Sequence, residues 1–166
     1  MNHSNDRLIH DDWISGPKVQ GTDLKKYVIH STMVDPKVIL EEGVKPFSSK
    51  ESKTYKNNPL YNYPSLIYAT NSYKSIWFTK YTKGSVIIDT SMISNLWWYD
   101  PHFYNEKISN GKYFILTNEK IPSSGIVGIL HRDDLINIWE IGKVFTRKGF
   151  SDNEYLDIIF SHMINK

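Results

Sequence analysis

The chain contains no cysteine. That excludes disulfides, a thiol nucleophile, a zinc–thiolate site and a thiol redox switch. Arginine is scarce as well, with only Arg7, Arg132 and Arg147. A site that clamps a phosphate with several guanidinium groups has little to draw on. No stretch approaches the run of about 20 apolar residues that a membrane-spanning helix needs. The opening residues, Met1 to Asp12, lack the apolar core of a secretory signal. Neither common Gly-rich phosphate loop occurs, which disfavours a Rossmann or P-loop nucleotide site. No Gly-x-Ser-x-Gly elbow is present. His102, His131 and His162 are scattered without metal-ligand spacing, so no metal is expected. A monomer with no membrane partner is expected, located in a cytoplasm or delivered into one.

What is present suits one folded domain. The length of 166 residues is enough to close a hydrophobic core. Aromatic residues make up 14%, with 11 Tyr and 5 Trp, which disordered chains do not carry. Flat rings fill cores and also line pockets. Twenty basic residues against 18 acidic ones leave a net charge of +2 and no broad cationic field. One local cluster stands out in the loop 47–65. There Lys50, Lys53 and Lys56 interleave with Tyr55, Tyr61 and Tyr63. Such a loop can touch nucleic acid phosphates and bases, and it equally suits plain solvation.

The order of elements predicts an α+β domain. Residues 1–22 read as a loosely held lead-in and 23–166 as the domain, with no internal repeat. Lys26 to His30 is the first strand, being β-branched and aromatic. Asp35 caps a helix that opens on Pro36 and stops at Gly43. After the long loop, Leu66 to Thr70 forms a strand, and a helix capped by Asn71 or Ser72 follows to about Tyr81. Ser85 to Asp89 is a further strand. Residues 91–111 read as irregular. Strands Lys112–Leu116 and Gly125–Leu130 flank Ile121-Pro122-Ser123-Ser124. Ile136, Ile138 and Trp139 alternate as in a strand. A final helix over 152–164 puts Leu156, Ile159, Phe160 and Met163 on one face. Mostly strands after the second helix imply a mixed or antiparallel sheet rather than a doubly wound one.

Two strand ends carry chemistry. Tyr27-Val28-Ile29-His30-Ser31-Thr32 sets an imidazole at the end of an apolar strand, followed by two hydroxyls. Histidine moves protons and hydrogen-bonds sugar hydroxyls. Leu66-Ile67-Tyr68-Ala69-Thr70 repeats that design with a ring that can stack on a flat heteroaromatic. Each segment taken singly suits ordinary packing, with the histidine satisfied by a neighbour.

In order, the segments resemble the ADP-ribosyltransferase superfamily over about residues 26–131. The pieces are His30-Ser31-Thr32, then Gly43-Val44-Lys45-Pro46, then Ile67-Tyr68-Ala69-Thr70 leading to Ile76-Trp77. Val86-Ile87-Ile88-Asp89 and Ile121-Pro122-Ser123-Ser124-Gly125-Ile126-Val127-Gly128 complete them. The resemblance implies a split-sheet fold and NAD as substrate, with no metal. It implies that His30 bonds the ribose, that main-chain groups of Ser31 grip the carboxamide, and that Tyr68 stacks on nicotinamide. Thr32, Thr70, Trp77 and Tyr81 complete the expected NAD contacts. The implied activity is mono-ADP-ribosyl transfer to a protein, nucleic acid or small molecule, of a toxin-like kind.

The chain departs from the family in two places. Ser31 replaces the usual Gly after the His, where Gly permits close backbone approach. The Glu that opens the strand before the Ile-Pro pair is missing, that stretch being Gly111-Lys112-Tyr113. Two carboxylates can substitute. Asp100, in Trp98-Tyr99-Asp100-Pro101, is similar to the Asp-Pro stretch of the rifamycin ADP-ribosyltransferases, small single-domain members. Glu119 lies in Thr117-Asn118-Glu119-Lys120. Three other readings stand beside transfer: a degraded site that binds NAD, ADP-ribose or a partner protein; an NAD glycohydrolase; and a tRNA 2′-phosphotransferase-like enzyme. The scarcity of Arg weighs against the last.

Overall fold

The computed structural model describes residues 6–52, 56–59, 62–76, 79–105, 107, 109–146 and 149–166. Its centre is an apolar antiparallel ladder. β3 (Tyr27–Thr32) and β5 (Gly84–Asp89) pair from Tyr27↔Asp89 to Thr32↔Gly84. Both are rich in Val and Ile, whose branched side chains suit a pleated surface. β8 (Ile126–His131) lies beyond β5, and β9 (Ile164–Asn165) closes that edge. On the other side of β3 come β4 (Ile67–Thr70), β7 (Phe114–Thr117) and β6 (Trp98–Tyr99). The resulting order is β6-β7-β4-β3-β5-β8-β9, with each neighbouring pair antiparallel. With three α-helices among the described residues, this is an α+β protein.

Alternation along the strands feeds two layers. Val28, Ile67, Val86, Ile88, Ile115 and Ile129 pack with Ile39 of α1 (Pro36–Glu42). Ile29, Ile87 and Leu130 pack with Leu135 and Ile138 of α2 (Arg132–Thr146) and with Tyr155 and Ile159 of α3 (Asp152–His162).

α1 forms as its sequence predicts. The Asp35 carboxylate accepts from Lys37 N–H at 3.0 Å, Pro36 opens the helix, and Gly43 ends it at φ +78°. The residue after Gly43 pairs as Val44↔Ile121, which joins the Gly-apolar-x-Pro exit to the Ile-Pro segment. α3 starts with a reciprocal cap between Ser151 and Glu154.

Four segments differ from expectation. The lead-in is structured: β1 (Arg7–His10) and β2 (Trp13–Pro17) form a hairpin, and Lys18↔Trp98 ties it to β6. Asp11, at φ +48°, makes the turn. Ile136, Ile138 and Trp139 belong to α2 and not to a strand. Leu135 and Ile138 are its buried pair, spaced i, i+3. The expected helix to Tyr81 shrinks to a 3-10 turn at Tyr73–Ser75, and residues 77 and 78 lie outside the described set. Asp152 of α3 accepts from the Tyr73 N–H there, and Thr82 Oγ1 accepts from Thr79 N–H farther on, which fixes a loop. The stretch 91–111 contains the short strand β6, buried at Trp98 and Tyr99.

Candidate functional site

The sheet parts between β3 and β4. These strands register at one pair, Ile29↔Thr70. Strict alternation would then send His30 and Tyr68 to opposite faces. The parting resolves the conflict. The His30 ring crosses to β4, where Nδ1 lies 2.5 Å from the Tyr68 carbonyl oxygen. A carbonyl only accepts, so Nδ1 carries the proton and Nε2 is left as an acceptor. His30 is 3% exposed, and burial lowers its pKa from the ordinary 6.5, with the Tyr68 carbonyl acting in the opposite sense. The ring is therefore a neutral imidazole with a determined tautomer.

The gap opens into a cavity with about 880 Å³ of empty space, including its mouth. Ile29, His30, Ser31, Tyr68, Thr70 and Asp100 line it. Ser31 Oγ sits 3.2 Å from Ser85 Oγ on the neighbouring strand. Tyr68 is half-buried and meets Tyr63 edge-on, with ring centroids 5.1 Å apart. Phe103 and Phe114, at 4.7 Å, add a second aromatic wall.

Asp100 is 4% exposed and stands just past β6. Its N–H donates to the Phe114 carbonyl at 3.0 Å. The carboxylate thus enters beside the start of β7, where Tyr113 and Phe114 offer none. Burial pushes the Asp100 carboxyl above the usual range, while the His102 N–H and the nearby His102 ring pull it back. Oδ1 accepts that N–H at 2.9 Å. The Tyr63 hydroxyl is also raised, first by burial; its bond to Ser52 counteracts this, and the charge of Asp100 adds to it.

The other expected contacts are placed elsewhere. Thr32 is buried and its Oγ1 accepts from Val34 N–H, so it shapes the turn. Tyr81 is 37% exposed with the Lys80 ammonium over its ring. Glu119 is exposed beyond the far end of β7, roughly 10 Å or more along the strand from Phe114 at about 3.3 Å per residue. Neither Tyr81 nor Glu119 is among the cavity-lining residues. Trp77 lies outside the described residues. Trp97 and Trp98 are buried in the core rather than lining the cavity.

Sequence reasoning passed over several lining residues. His102 joins the cavity through its Asx turn with Asp100, a local pattern that the search for metal spacing ignored. Thr79 and Thr82 line the rim, and Arg132 at the start of α2 donates to both their carbonyls, at 2.8 and 2.7 Å. That clamp had no readable signal, because it joins residues far apart in sequence. Among the described residues no group of three His, Asp or Glu side chains is arranged to hold a metal. No described helix is long and apolar enough to cross a membrane.

The site is thus an aromatic cleft with one buried carboxylate and one neutral imidazole, in an α+β protein. No protein-family model matches the chain, and no curated protein or solved structure does so either.

Proposed function

We propose that the protein transfers ADP-ribose from NAD to an acceptor. The observation that carries this reading is that His30 and Tyr68, from strands that part beside them, line one cleft with Asp100. Tyr68 offers a face for the nicotinamide ring. His30 Nε2 can accept from a ribose hydroxyl, and the Nδ1 bond holds the ring still for that purpose. Ser31 stands where the ladder toward β4 has stopped, so its main chain can meet the carboxamide. The Ser side chain, in place of Gly, narrows that approach.

In the reaction the bond between nicotinamide and the anomeric carbon breaks, and its electron pair leaves with nicotinamide. The ribose becomes oxocarbenium-like. In its ionised form Asp100, in a water-poor site, stabilises that developing charge more strongly than a solvated carboxylate would. An acceptor nucleophile then bonds the anomeric carbon and loses its proton. His102, on the same cavity wall, is positioned to receive it. Water in the acceptor's place would make the reaction NAD hydrolysis.

A second reading is a site that binds NAD or ADP-ribose without turnover. Ser31 and the remote position of Glu119 favour it. Nicotinamide release from NAD separates the two. Release by the wild type that disappears in His30→Ala supports transfer or hydrolysis. A thermal shift with NAD but no release supports the binding module. Neither release nor shift overturns the NAD site.

A further inference from the structure

We infer that the acceptor is a single-stranded nucleic acid, drawn to the cleft by lysines on the three connections that surround its mouth. This rests on the NAD reading of the site. The connections 43–66, 71–83 and 100–113 supply cavity residues: Ser52 and Tyr63, Thr79 and Thr82, His102 and Phe103. In sequence those connections hold nine lysines and three acidic residues, although the whole chain is nearly balanced. Among the described residues eight of these lysines are exposed: Lys45, Lys50 and Lys56, Lys74, Lys80 and Lys83, and Lys107 and Lys112.

The acids near this rim are largely engaged. Asp100 is buried, and Glu51 accepts from the Ser48 N–H at 2.7 Å. Acidic side chains gather instead on α2 and α3, with Asp133, Asp134, Glu140, Asp152, Glu154 and Asp157. The connections that line the cleft are therefore locally positive in sequence, nine lysines against three acids. A low-dielectric cleft under such a rim focuses the field and attracts anions.

NAD alone does not account for that rim. Its pyrophosphate brings two charges, which one or two cations suffice to meet. Exposed lysines on all three connections match a polyanion that continues past the cleft. A flat surface is present too. Phe103 lines the cavity yet is 44% exposed, the arrangement a stacked base needs. A base can stack on the exposed part of that ring, which an acidic side chain does not do.

The test uses the full chain with fluorescent 20-nucleotide single strands of DNA and of RNA. Anisotropy should show binding at low salt that weakens as salt rises. Lys80→Glu with Lys107→Glu should weaken it roughly tenfold or more and lower the salt slope by about 2. Lys37→Glu, on exposed α1, should leave it unchanged. With labelled NAD present, label should appear on the strand that is the acceptor, which separates DNA from RNA. No binding to either strand, or binding indifferent to the rim variant, overturns the inference. Nicotinamide release with no strand labelled also overturns it and leaves the NAD reading intact. Strand binding with no release under any condition overturns the NAD reading, and the acceptor role with it.

Discussion

The His30 imidazole bridges to the Tyr68 main-chain carbonyl, 2.5 Å away, across the place where two neighbouring strands cease to pair. A side chain thus takes over from the backbone ladder. It also orients a ring nitrogen for use in the cleft.

Removing that ring should have two effects. In His30→Ala the rate of nicotinamide release should fall about 100-fold, as expected when a positioning contact is lost. Stability should fall by about 1–3 kcal/mol, because the Tyr68 carbonyl loses its partner in a buried place. Single-turnover kinetics and urea unfolding check the two separately.

The two candidate acids should separate cleanly. Asp100→Asn keeps the Oδ1 that accepts from His102 N–H and removes only the charge. Release should drop about 100- to 1,000-fold, the scale of losing one electrostatic contact to a transition state. Its melting temperature should hold or rise, since burial disfavours the ionised carboxyl. Glu119→Gln, exposed and remote from the lining residues, should change neither quantity. Paired assays of kcat and Tm decide it.

Stability should also depend on pH through His30. Burial lowers its folded pKa below the ordinary 6.5. Between those two values the unfolded chain binds a proton that the folded one does not. The contribution is therefore complete above about pH 6.5 and is lost as pH falls toward the folded value. Denaturation profiles between pH 5 and 8 should show this fall in the wild type and a smaller one in His30→Gln.

Gly43 offers a test outside the site. It sits at φ +78°, and a Cβ there would lie 2.3 Å from the Ile121 carbonyl oxygen. Gly43→Ala should destabilise the fold by more than about 1 kcal/mol, because conformation and contact are both wrong for a side chain. Chemical denaturation measures it.

Much of the fold was legible where local signals agreed. Asp35-Pro36 and Gly43 mark α1 on their own, and the Val-Ile run of β5 reads as a buried strand. Where signals were weak, pattern misled. Ile136 and Ile138 look like period two, while the pair that packs is Leu135 with Ile138. Asp11-Asp12 lacks the glycine that marks a tight hairpin, so β1 and β2 went unread. In the site, His30, Ser31, Tyr68 and Thr70 were legible from their strand ends and Asp100 from its Asp-Pro stretch, and all five line the cavity. Thr32, Tyr81 and Glu119 were carried by order in the chain, which says nothing about where a side chain turns. His102 and the Arg132 clamp depend on a turn and on a long-range contact that a linear reading does not reveal.

The single pair joining β3 to β4 has a mechanical consequence. The sheet is two plates, β6-β7-β4 and β3-β5-β8-β9, each with its own ladders and meeting along a short seam. Main-chain pairing therefore does little to set the spacing of the plates, which falls to the apolar layer they share, Val28 and Val86 with Ile67 and Ile115, and to the His30 ring that spans the seam.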